Sequence, residues 1–331
     1  MMHSSIALVT TPTRMQGLLA RWGTKGAAKF RLWQAVQHAA VSPMAQHTQS
    51  SDASNSHADI DFSQYELEDA KYQGTLDKLR REIDIGFPVT LVEKRYLANF
   101  DFRNVVLVIV VGHDGLVANT AKYAAGLPII GVNPDPARND GVLTPFGLNG
   151  IQAVLTRTLS GRSRIRPVSL AEAKLNDGQS MLAFNDFYIG KRSHTSARYT
   201  IRYRGHSEPQ SSSGVLVSTG AGSTGWLSSV FHMMRGVANW TGGKSGEAMK
   251  LDWESRQLAW IVREPFASKH SQVSLVAGTL DESEELVLES LMPESGVIFS
   301  DGIEDDFLEF NSGTSVQLRL AKVQAKLVVP G

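Results

Sequence analysis

The chain has 331 residues, 42% of them apolar, and its 33 lysines and arginines balance 33 aspartates and glutamates. This length allows two domains with a sizeable core, and the zero formal net charge gives no indication of a polyanionic partner. The absence of cysteine excludes disulfides, thiol catalysis and cysteine-ligated zinc.

The N-terminal third alternates between apolar and amphipathic segments. Residues 5–11 predict a short buried strand, and residues 14–40 predict a helical stretch that glycines interrupt. The polar, Ser-rich run at 43–62 is typical of a mobile loop. Residues 65–83 then predict an amphipathic helix.

The alternation continues through the middle of the chain. The run at 104–112 is continuously apolar and β-branched, which is typical of a central parallel strand covered on both faces. A helix at 116–126, a second buried strand at 127–133 and a helix at 147–161 follow. We therefore predict a doubly wound α/β domain over residues 1–163.

The pattern of apolar and polar residues changes in the C-terminal half. Short runs with period-two alternation dominate residues 164–320, which predicts an antiparallel, β-rich domain interrupted by one helix at 224–238. Residues 321–331 are expected to form a C-terminal tail that could return to the first domain.

Targeting, membrane and metal-binding segments are not predicted. The N-terminus has no basic segment followed by a long apolar stretch, and no run approaches 18 uninterrupted apolar residues. We expect a cytoplasmic protein that binds neither a membrane nor nucleic acid. The histidines lack metal-ligand spacing, so no residue is assigned to a metal.

A carboxylate lies between two glycines where the central strand ends, in Gly112-His113-Asp114-Gly115. Doubly wound sheets bind ligands at the carboxyl ends of their strands, and glycines next to a helix N-terminus let phosphate approach the backbone. Asp114 can orient a hydroxyl, accept its proton or hold Mg²⁺. The residues leave a second interpretation open, in which Asp114 caps the next helix in a tight turn.

Two more stretches carry polar residues in unusual places. The run at 217–230 is a strand, a Gly/Ser/Thr loop and a helix, which suits phosphate or ribose but also suits a flexible connection. Asn185 and Asp186 interrupt an apolar strand at 182–190. Because neighbouring strand residues point to opposite faces, one of the two should meet a pocket or solvent, unless this is an edge or a bulge.

These three stretches, in this order, resemble the motifs of the NAD kinase family. That family has a Gly-Gly-Asp-Gly turn after a strand, an Asn-Glu pair, and a Thr-Gly-Ser-Thr loop that opens a helix. Residues 131–143 further resemble its mitochondrial-type branch. The resemblance covers about residues 104–320. It implies an N-terminal domain related to phosphofructokinases and diacylglycerol kinases, and a β-rich C-terminal domain that binds NAD.

The resemblance also implies the reaction and its residues. ATP, or polyphosphate, would donate phosphate to the 2′-hydroxyl of the adenosine ribose of NAD, with Mg²⁺ on the donor phosphates, in a homodimer or homotetramer. Asp114 would handle the acceptor hydroxyl. The implied nucleotide-binding residues are Gly112, His113, Gly115, Asn133, Asn185, Asp186, Thr219, Gly220, Ser223, Thr224 and Trp226. Asp301-Gly302 resembles a pair that the family often has, although a solvated turn is the simpler interpretation.

Several positions depart from the family pattern. His113 replaces a glycine, Asp186 replaces a glutamate, Ser213 stands where many members have aspartate, and Gly225-Trp226 replaces an Ala-Tyr pair. An ordinary imidazole at His113 would strengthen phosphate binding as the pH falls through about 7 to 6. Trp226 can stack on a base or belong to the core. Two rival functions stay open: a kinase of the same fold with a sugar or lipid acceptor, and a non-catalytic nucleotide sensor.

Overall fold

The computed structural model describes residues 4–41, 62–124, 126–244 and 246–331; the Ser-rich segment predicted as a loop lies, apart from Phe62, outside these ranges. The helices are α1 (Arg14–Trp22), α2 (Lys25–Val41), α3 (Phe62–Glu82), α4 (Asp114–Tyr123), α5 (Ile151–Leu159) and α6 (Trp226–Trp240), with short 3₁₀ helices at Lys94–Asn99 and Gly222–Thr224. Within the described ranges, no helix has the length and apolarity needed to cross a bilayer.

The strands fall into a parallel group early in the chain and an antiparallel group later. They are β1 (Ser5–Thr10), β2 (Val89–Glu93), β3 (Val105–Val111), β4 (Pro128–Val132), β5 (Ile165–Leu175), β6 (Ser180–Ala183), β7 (Asp186–Lys191), β8 (Ala197–Tyr203), β9 (His206–Ser212), β10 (Val215–Ser218), β11 (Leu258–Val262), β12 (Ala277–Leu280), β13 (Leu286–Ser290), β14 (Gly296–Ser300), β15 (Ile303–Glu309) and β16 (Ser315–Val328).

The N-terminal strands form a parallel layer with helices on both faces. Their order in the first sheet is β2-β1-β3-β4, with parallel pairing throughout. Successive residues of β3 point to opposite sides, so Leu107 and Ile109 pack with α3 and α5, whereas Val108 and Val110 pack with α4. A strand covered on both faces needs apolar residues at every position, which is why β3 reads as an unbroken apolar run.

The first sheet continues into the β-rich half through β16. Lys326 and Leu327 pair in parallel with Pro128 and Ile129 of β4, while other parts of β16 pair antiparallel with β5 and β13. One sheet therefore joins both halves of the chain. The division at residue 163 stays a prediction.

The second sheet is antiparallel, with strand order β12-β11-β10-β7-β14-β15. One of its faces packs against the antiparallel strands of the first sheet around large buried side chains, including Trp260, Tyr199 and Phe187. Its other face is partly covered by α6, and Leu227 of α6 belongs to one apolar cluster with Leu216 of β10. The predicted fold class, a doubly wound α/β layer with a β-rich second part, is confirmed.

Candidate active site

The Gly112–Gly115 turn joins the end of β3 to the start of α4. The Gly112 N–H donates to the carbonyl of Val132 at 3.1 Å, so the turn lies at the carboxyl ends of β3 and β4. His113 precedes the helix without making a side-chain capping bond, and Asp114 is the first helical residue. Backbone donors at a helix N-terminus are therefore placed where the sequence predicts an anion.

Asp114 is bound to a neighbouring loop. Its carboxylate accepts hydrogen bonds from the backbone N–H groups of Val142 and Leu143, both at 3.0 Å, and from the Thr144 hydroxyl at 3.2 Å. The capping interpretation is not the arrangement observed, because these partners lie outside α4. Three donors fix the direction of the carboxylate, while the residue itself stays only half-buried.

Two glycines of the 131–143 run allow this loop to pass over β4. A Cβ on Gly131 would lie 2.0 Å from the Leu143 carbonyl oxygen. Gly141 has a φ of 68°, and a Cβ there would lie 2.6 Å from Asn133 Nδ2. Asn133 is buried and donates to the Asn139 carbonyl at 3.0 Å. In the structure Asn133 holds the loop by this hydrogen bond. A contact of Asn133 with a nucleotide stays a prediction.

A cavity of about 530 Å³ opens beside this turn. Gly112 and His113 form one wall, and three cationic side chains from distant parts of the sequence form others: Arg14, Lys71 and Arg138. Two carboxylates also line the cavity, Asp135 and Glu68, and Glu68 pairs with Arg14. Lys71 Nζ lies 2.9 Å from Asp135 Oδ1, and Arg138 Nε lies 3.7 Å from Asp135 Oδ2. No motif marked these cations, because only the folded chain brings α1, α3 and the loop after β4 together.

His113 folds back over the helix start. A Cβ on Gly115 would lie 3.2 Å from both Cε1 and Nδ1 of the imidazole, so a glycine at 115 leaves room for the histidine at 113. Partial burial, and then the Lys94 ammonium, lower the pKa of His113, although Asp114 acts in the opposite direction. The lowered pKa favours the neutral imidazole, so the pH dependence expected from His113 moves below the ordinary titration range of histidine.

We expect the affinity for Mg-ATP to rise only at a pH below the ordinary titration range of histidine, because the imidazole gains its positive charge there. Calorimetry between pH 5 and 8.5 on wild type and His113→Gly measures this, and the glycine variant corrects for the titration of ATP itself. Tighter binding by His113→Gly at every pH would show that the imidazole obstructs the phosphates.

Asn185 and Asp186 mark a change of sheet. The predicted single strand at 182–190 is divided: β6 ends at Ala183 in the first sheet, and β7 begins at Asp186 in the second. Asp186 is buried, and the simple alternation of one strand does not apply across this break. The polar pair interrupts the apolar run because the chain leaves one sheet and enters the other.

Asp301 holds this break in place. Its carboxylate accepts the N–H groups of Phe184, at 3.1 Å, and Asn185, at 2.6 Å, while its own N–H donates to the Asp186 carbonyl at 2.9 Å. Burial, and then the nearby Asp301, raise the pKa of Asp186 to about 7. Burial also raises the pKa of Asp301, against the effect of its backbone donors and of Lys122.

The raised pKa of Asp186 gives a stability prediction. Between about pH 4 and 7 the folded protein holds a proton on Asp186 that the unfolded chain releases, so this group's contribution to stability is lost as the pH rises. Asp186→Asn should therefore be more stable than wild type at pH 8, by on the order of 3 kcal/mol, and nearly equal to it at pH 4. Denaturant unfolding at both values measures the difference. Asp305→Asn, on the exposed part of β15, is the control, and a difference independent of pH would contradict the assignment.

The Gly/Ser/Thr loop is bound to the same break. The Thr219 hydroxyl donates to the Phe184 carbonyl at 2.6 Å, and the Thr219 N–H donates to the Asn185 carbonyl at 2.9 Å. A Cβ on Gly220 would lie 1.8 Å from the Asp252 carbonyl oxygen, and one on Gly222 would lie 2.1 Å from that of Asn185. The small residues thus serve close packing of backbone on backbone.

The hydroxyls of this loop differ in accessibility. Ser223 is buried, donates to the Gly220 carbonyl at 2.7 Å and accepts the Leu251 N–H at 3.2 Å, whereas Thr224 is exposed. The internal partners of Thr219 and Ser223 give these hydroxyls a structural use. Contacts of Thr219, Gly220, Ser223 and Thr224 with a nucleotide stay predictions.

Trp226 begins α6 and is half-buried. Its ring stacks on Tyr188 with centroids 5.8 Å apart, and the Arg263 guanidinium lies 5.2 Å from its centroid. The indole borders two cavities of about 250 and 460 Å³. It is therefore placed at a cavity edge, and stacking on a nucleotide base stays a prediction.

The turn that carries Asp114 lies near Asn185 and the Gly/Ser/Thr loop, because all of them pack around α4. Leu116 and Val117 of α4 share one apolar cluster with Phe184, Ala221 and Leu143. These neighbours adjoin Asn185, the Gly/Ser/Thr loop and the loop that binds Asp114. The structure thus brings all three motifs to one region between the α/β layer and the β-rich half.

Across the described ranges, no group of three or more histidines, aspartates or glutamates is arranged to hold a metal ion. Mg²⁺ is often bound through one or two carboxylates together with substrate phosphates. Asp114 fits that mode as a single carboxylate whose neighbours Gly112 and His113 line the cavity.

Comparison with known proteins gives the following similarities. No protein-family model matches the sequence. An NAD kinase of Heliobacterium modesticaldum is 32% identical over 126 residues, a match that covers 35% of this chain and 44% of that protein. The chain thus spans less than half the length of this curated relative.

Two solved structures share the fold. One is an NAD kinase from Archaeoglobus fulgidus in complex with ATP, with a TM-score of 0.51, 16% identity, and coverage of 77% of this chain and 90% of the other. The second is yeast NADH kinase complexed with NADH, with a TM-score of 0.51, 13% identity, and coverage of 99% and 84%. The sequence relative and these structures confirm the resemblance to the NAD kinase family, and the chain has the fold of that family.

Proposed function

We propose that this protein is an NAD kinase-like phosphotransferase, which moves a phosphoryl group from ATP to the 2′-hydroxyl of the adenosine ribose of NAD. The observation that carries the proposal is the position of Asp114. It lies at the carboxyl end of β3 and is oriented by Val142, Leu143 and Thr144. Its neighbours Gly112 and His113 line a cavity that holds three cationic and two anionic side chains. A carboxylate fixed near cationic side chains and a helix N-terminus is what phosphoryl transfer to a hydroxyl needs.

In this proposal the cavity beside the turn takes the donor phosphates. Arg14, Lys71 and Arg138 supply positive charge, and the N-terminus of α4 supplies backbone donors. Asp114 would orient the acceptor hydroxyl and accept its proton. Mg²⁺, when bound with ATP, neutralises the charge that develops on the phosphates.

The acceptor would lie toward the β-rich half. Asn185 and the Gly/Ser/Thr loop are held together there by Thr219, and Asp186 lies on the same break between sheets. Supporting arguments are the relative named as an NAD kinase and the structural neighbours described as bound to ATP and to NADH.

A direct assay tests the proposed function. Purified protein is incubated with Mg-ATP and NAD, and NADP formation is followed with an NADP-specific dehydrogenase. Parallel reactions use polyphosphate as donor, and NADH, hexoses or diacylglycerol as acceptors. Transfer to NAD or NADH supports the proposal. Transfer only to a sugar or lipid supports the rival kinase, and ligand-linked stabilisation by nucleotides without any transfer supports the sensor.

Arg138 tests the donor cavity. Arg138→Gln should raise the KM for ATP by about 10-fold or more, because a hydrogen bond to a charged group contributes about 1.5–3 kcal/mol. Steady-state kinetics with saturating NAD measure this. Arg202→Gln is the matched control, since Arg202 pairs with Glu289 on the surface of the β-rich half. Equal KM values for the two variants would remove Arg138 from the donor site.

We also propose that the protein forms a homo-oligomer. The outer face of α6 exposes large apolar side chains, at 49% for Met233, 53% for Val237 and 85% for Trp240. Such a patch is unusual on the surface of a monomer. Light scattering of wild type and Trp240→Ser tests this proposal, and a monomeric wild type would contradict it.

A further inference from the structure

A buried lysine lies at the far end of the helix that carries Asp114. Lys122 is the penultimate residue of α4, and its side chain is 1% exposed. Its ammonium donates to the Ser300 hydroxyl at 2.9 Å and lies 3.7 Å from Asp306 Oδ2. An unpaired ammonium in such a place would be strongly unfavourable, so these partners are needed to keep the charge.

The partners of Lys122 belong to the hairpin that β14 and β15 form. Ser300 ends β14, and Asp306 lies in β15, where its carboxylate also accepts the Tyr123 hydroxyl. Two successive residues of α4, Lys122 and Tyr123, therefore bind this hairpin. Asp301, next to Ser300, has a φ of 55°, an uncommon conformation for a non-glycine residue that must be held by its surroundings.

The same hairpin continues toward the nucleotide-facing residues. Asp301 accepts the N–H groups of Phe184 and Asn185, and the carbonyls of those two residues hold Thr219. An unbroken path of hydrogen bonds and covalent links thus leads from Lys122 to the Gly/Ser/Thr loop.

The helix itself completes the connection. α4 has ten residues, so it is about 15 Å long, and seven of them are buried. Its first residue, Asp114, is bound to the loop at 142–144, and its penultimate residue is bound to the end of β14. A helix fixed at both ends sets the distance between the two regions that it joins.

We propose that Lys122 is a positioning residue, which fixes Asp114 in register with Asn185 and the Gly/Ser/Thr loop. This inference rests on the proposed function, because the register matters only if Asp114 acts on an acceptor held by that loop. Lys122 does not touch the substrate in this arrangement. It acts through Ser300, Asp301 and Asp306.

The charges around Lys122 give the inference a pH signature. Burial lowers the pKa of Lys122, Asp301 and Asp306 oppose that effect, and Lys94 from the neighbouring 3₁₀ helix adds to it. Asp301 in turn faces Lys122 and Asp186. Removal of the ammonium should let Asp301 take up a proton at higher pH, which would weaken its bonds to Phe184 and Asn185.

The test compares wild type, Lys122→Met, Lys122→Arg, Ser300→Ala and Tyr123→Phe. We expect Lys122→Met to lower kcat by about 10-fold or more with little change in the KM for ATP, since small misplacements of reacting groups are costly. In a plot of kcat against pH, the fall in kcat on the acid side should move upward by about one pH unit in Lys122→Met. Lys122→Arg keeps the charge, so it should show the wild-type pH profile on the acid side and most of the wild-type kcat. Tyr123→Phe removes another hydrogen bond to Asp306 but keeps the Lys122 ammonium, so the acid side of its pH profile of kcat should stay unshifted.

Ser300→Ala keeps the inference testable if Lys122→Met does not fold. It removes the hydroxyl that Lys122 binds without changing any charge, and it should lower kcat several-fold at an unchanged KM for ATP. The inference is overturned if Ser300→Ala has wild-type kcat, or if Lys122→Met and Lys122→Arg lose activity equally with an unshifted pH profile. Wild-type turnover alone decides the proposed function. The inference is decided by the ratio of the variant's kcat to that of wild type, measured with whichever acceptor the wild type phosphorylates. Calorimetric NAD affinity at pH 6 and 8 compares the same variants without turnover.

Discussion

Asp114→Asn is expected to lower the turnover of phosphoryl transfer by on the order of 100-fold or more, because an amide cannot accept the proton of the acceptor hydroxyl. The substitution nearly conserves shape. It changes the contacts with Val142 and Leu143, since an amide nitrogen in place of one oxygen would face a backbone donor. Stopped assays at saturating ATP and NAD measure kcat, and calorimetry measures whether both nucleotides still bind.

Thr144→Val is the matched control for this experiment. It removes one of the three donors to Asp114 but leaves the carboxylate in place. If Asp114 handles the hydroxyl, Thr144→Val should lose only a few-fold in kcat. If Asp114 only anchors the loop at 142–144, the two variants should lose activity to a similar and small extent, and the catalytic assignment would be wrong.

Gly222→Ala is expected to have the second large effect. The added Cβ would lie 2.1 Å from the Asn185 carbonyl oxygen and 2.8 Å from Ser218 Oγ, and the first of these is backbone that cannot turn away. Either the Gly/Ser/Thr loop or the break between β6 and β7 must move. Overpacking of this kind costs about 3 kcal/mol of folding stability, and displacement of the loop should also weaken NAD binding about 10-fold or more.

Chemical denaturation and calorimetry measure the two effects separately. Gly236→Ala provides the matched control, because Gly236 lies within α6 and a Cβ there meets nothing within 4 Å. It should keep wild-type NAD affinity and raise stability slightly, since alanine favours helix more than glycine does. Wild-type stability in Gly222→Ala would mean that the loop is not packed against Asn185 as observed.

The sequence alone determined the α/β layer because its signals are local. An unbroken β-branched run such as Val105–Val111 suits a strand covered on both faces, and the following amphipathic segments suit helices that cover it. The turn at Gly112–Gly115 was placed at the carboxyl end of that strand for the same reason. Asp114 could be singled out because a carboxylate between two glycines at that position is itself a local pattern.

Only the tertiary structure decided what Asp114 binds and what surrounds it. Its donors Val142, Leu143 and Thr144 are 28 to 30 residues away in sequence. The cations of the adjoining cavity come from α1, α3 and the loop after β4, and each is an ordinary surface-type residue when taken in its own segment. Long-range neighbours leave no periodic pattern, so local reasoning could not find them.

The break at Asn185 and the burial of Lys122 were decided in the same way. A run such as 182–190 is equally apolar whether it stays in one sheet or passes between two, because both arrangements bury its side chains. A lysine near the end of a helix is usually solvated, and its burial here follows from the β14–β15 hairpin that packs against α4. The sequence determined the elements and the reactive residue types. The packing of the two sheets around α4 determined their distances, their partners and their charge states, because burial and electrostatic interaction depend on which distant groups the fold brings together.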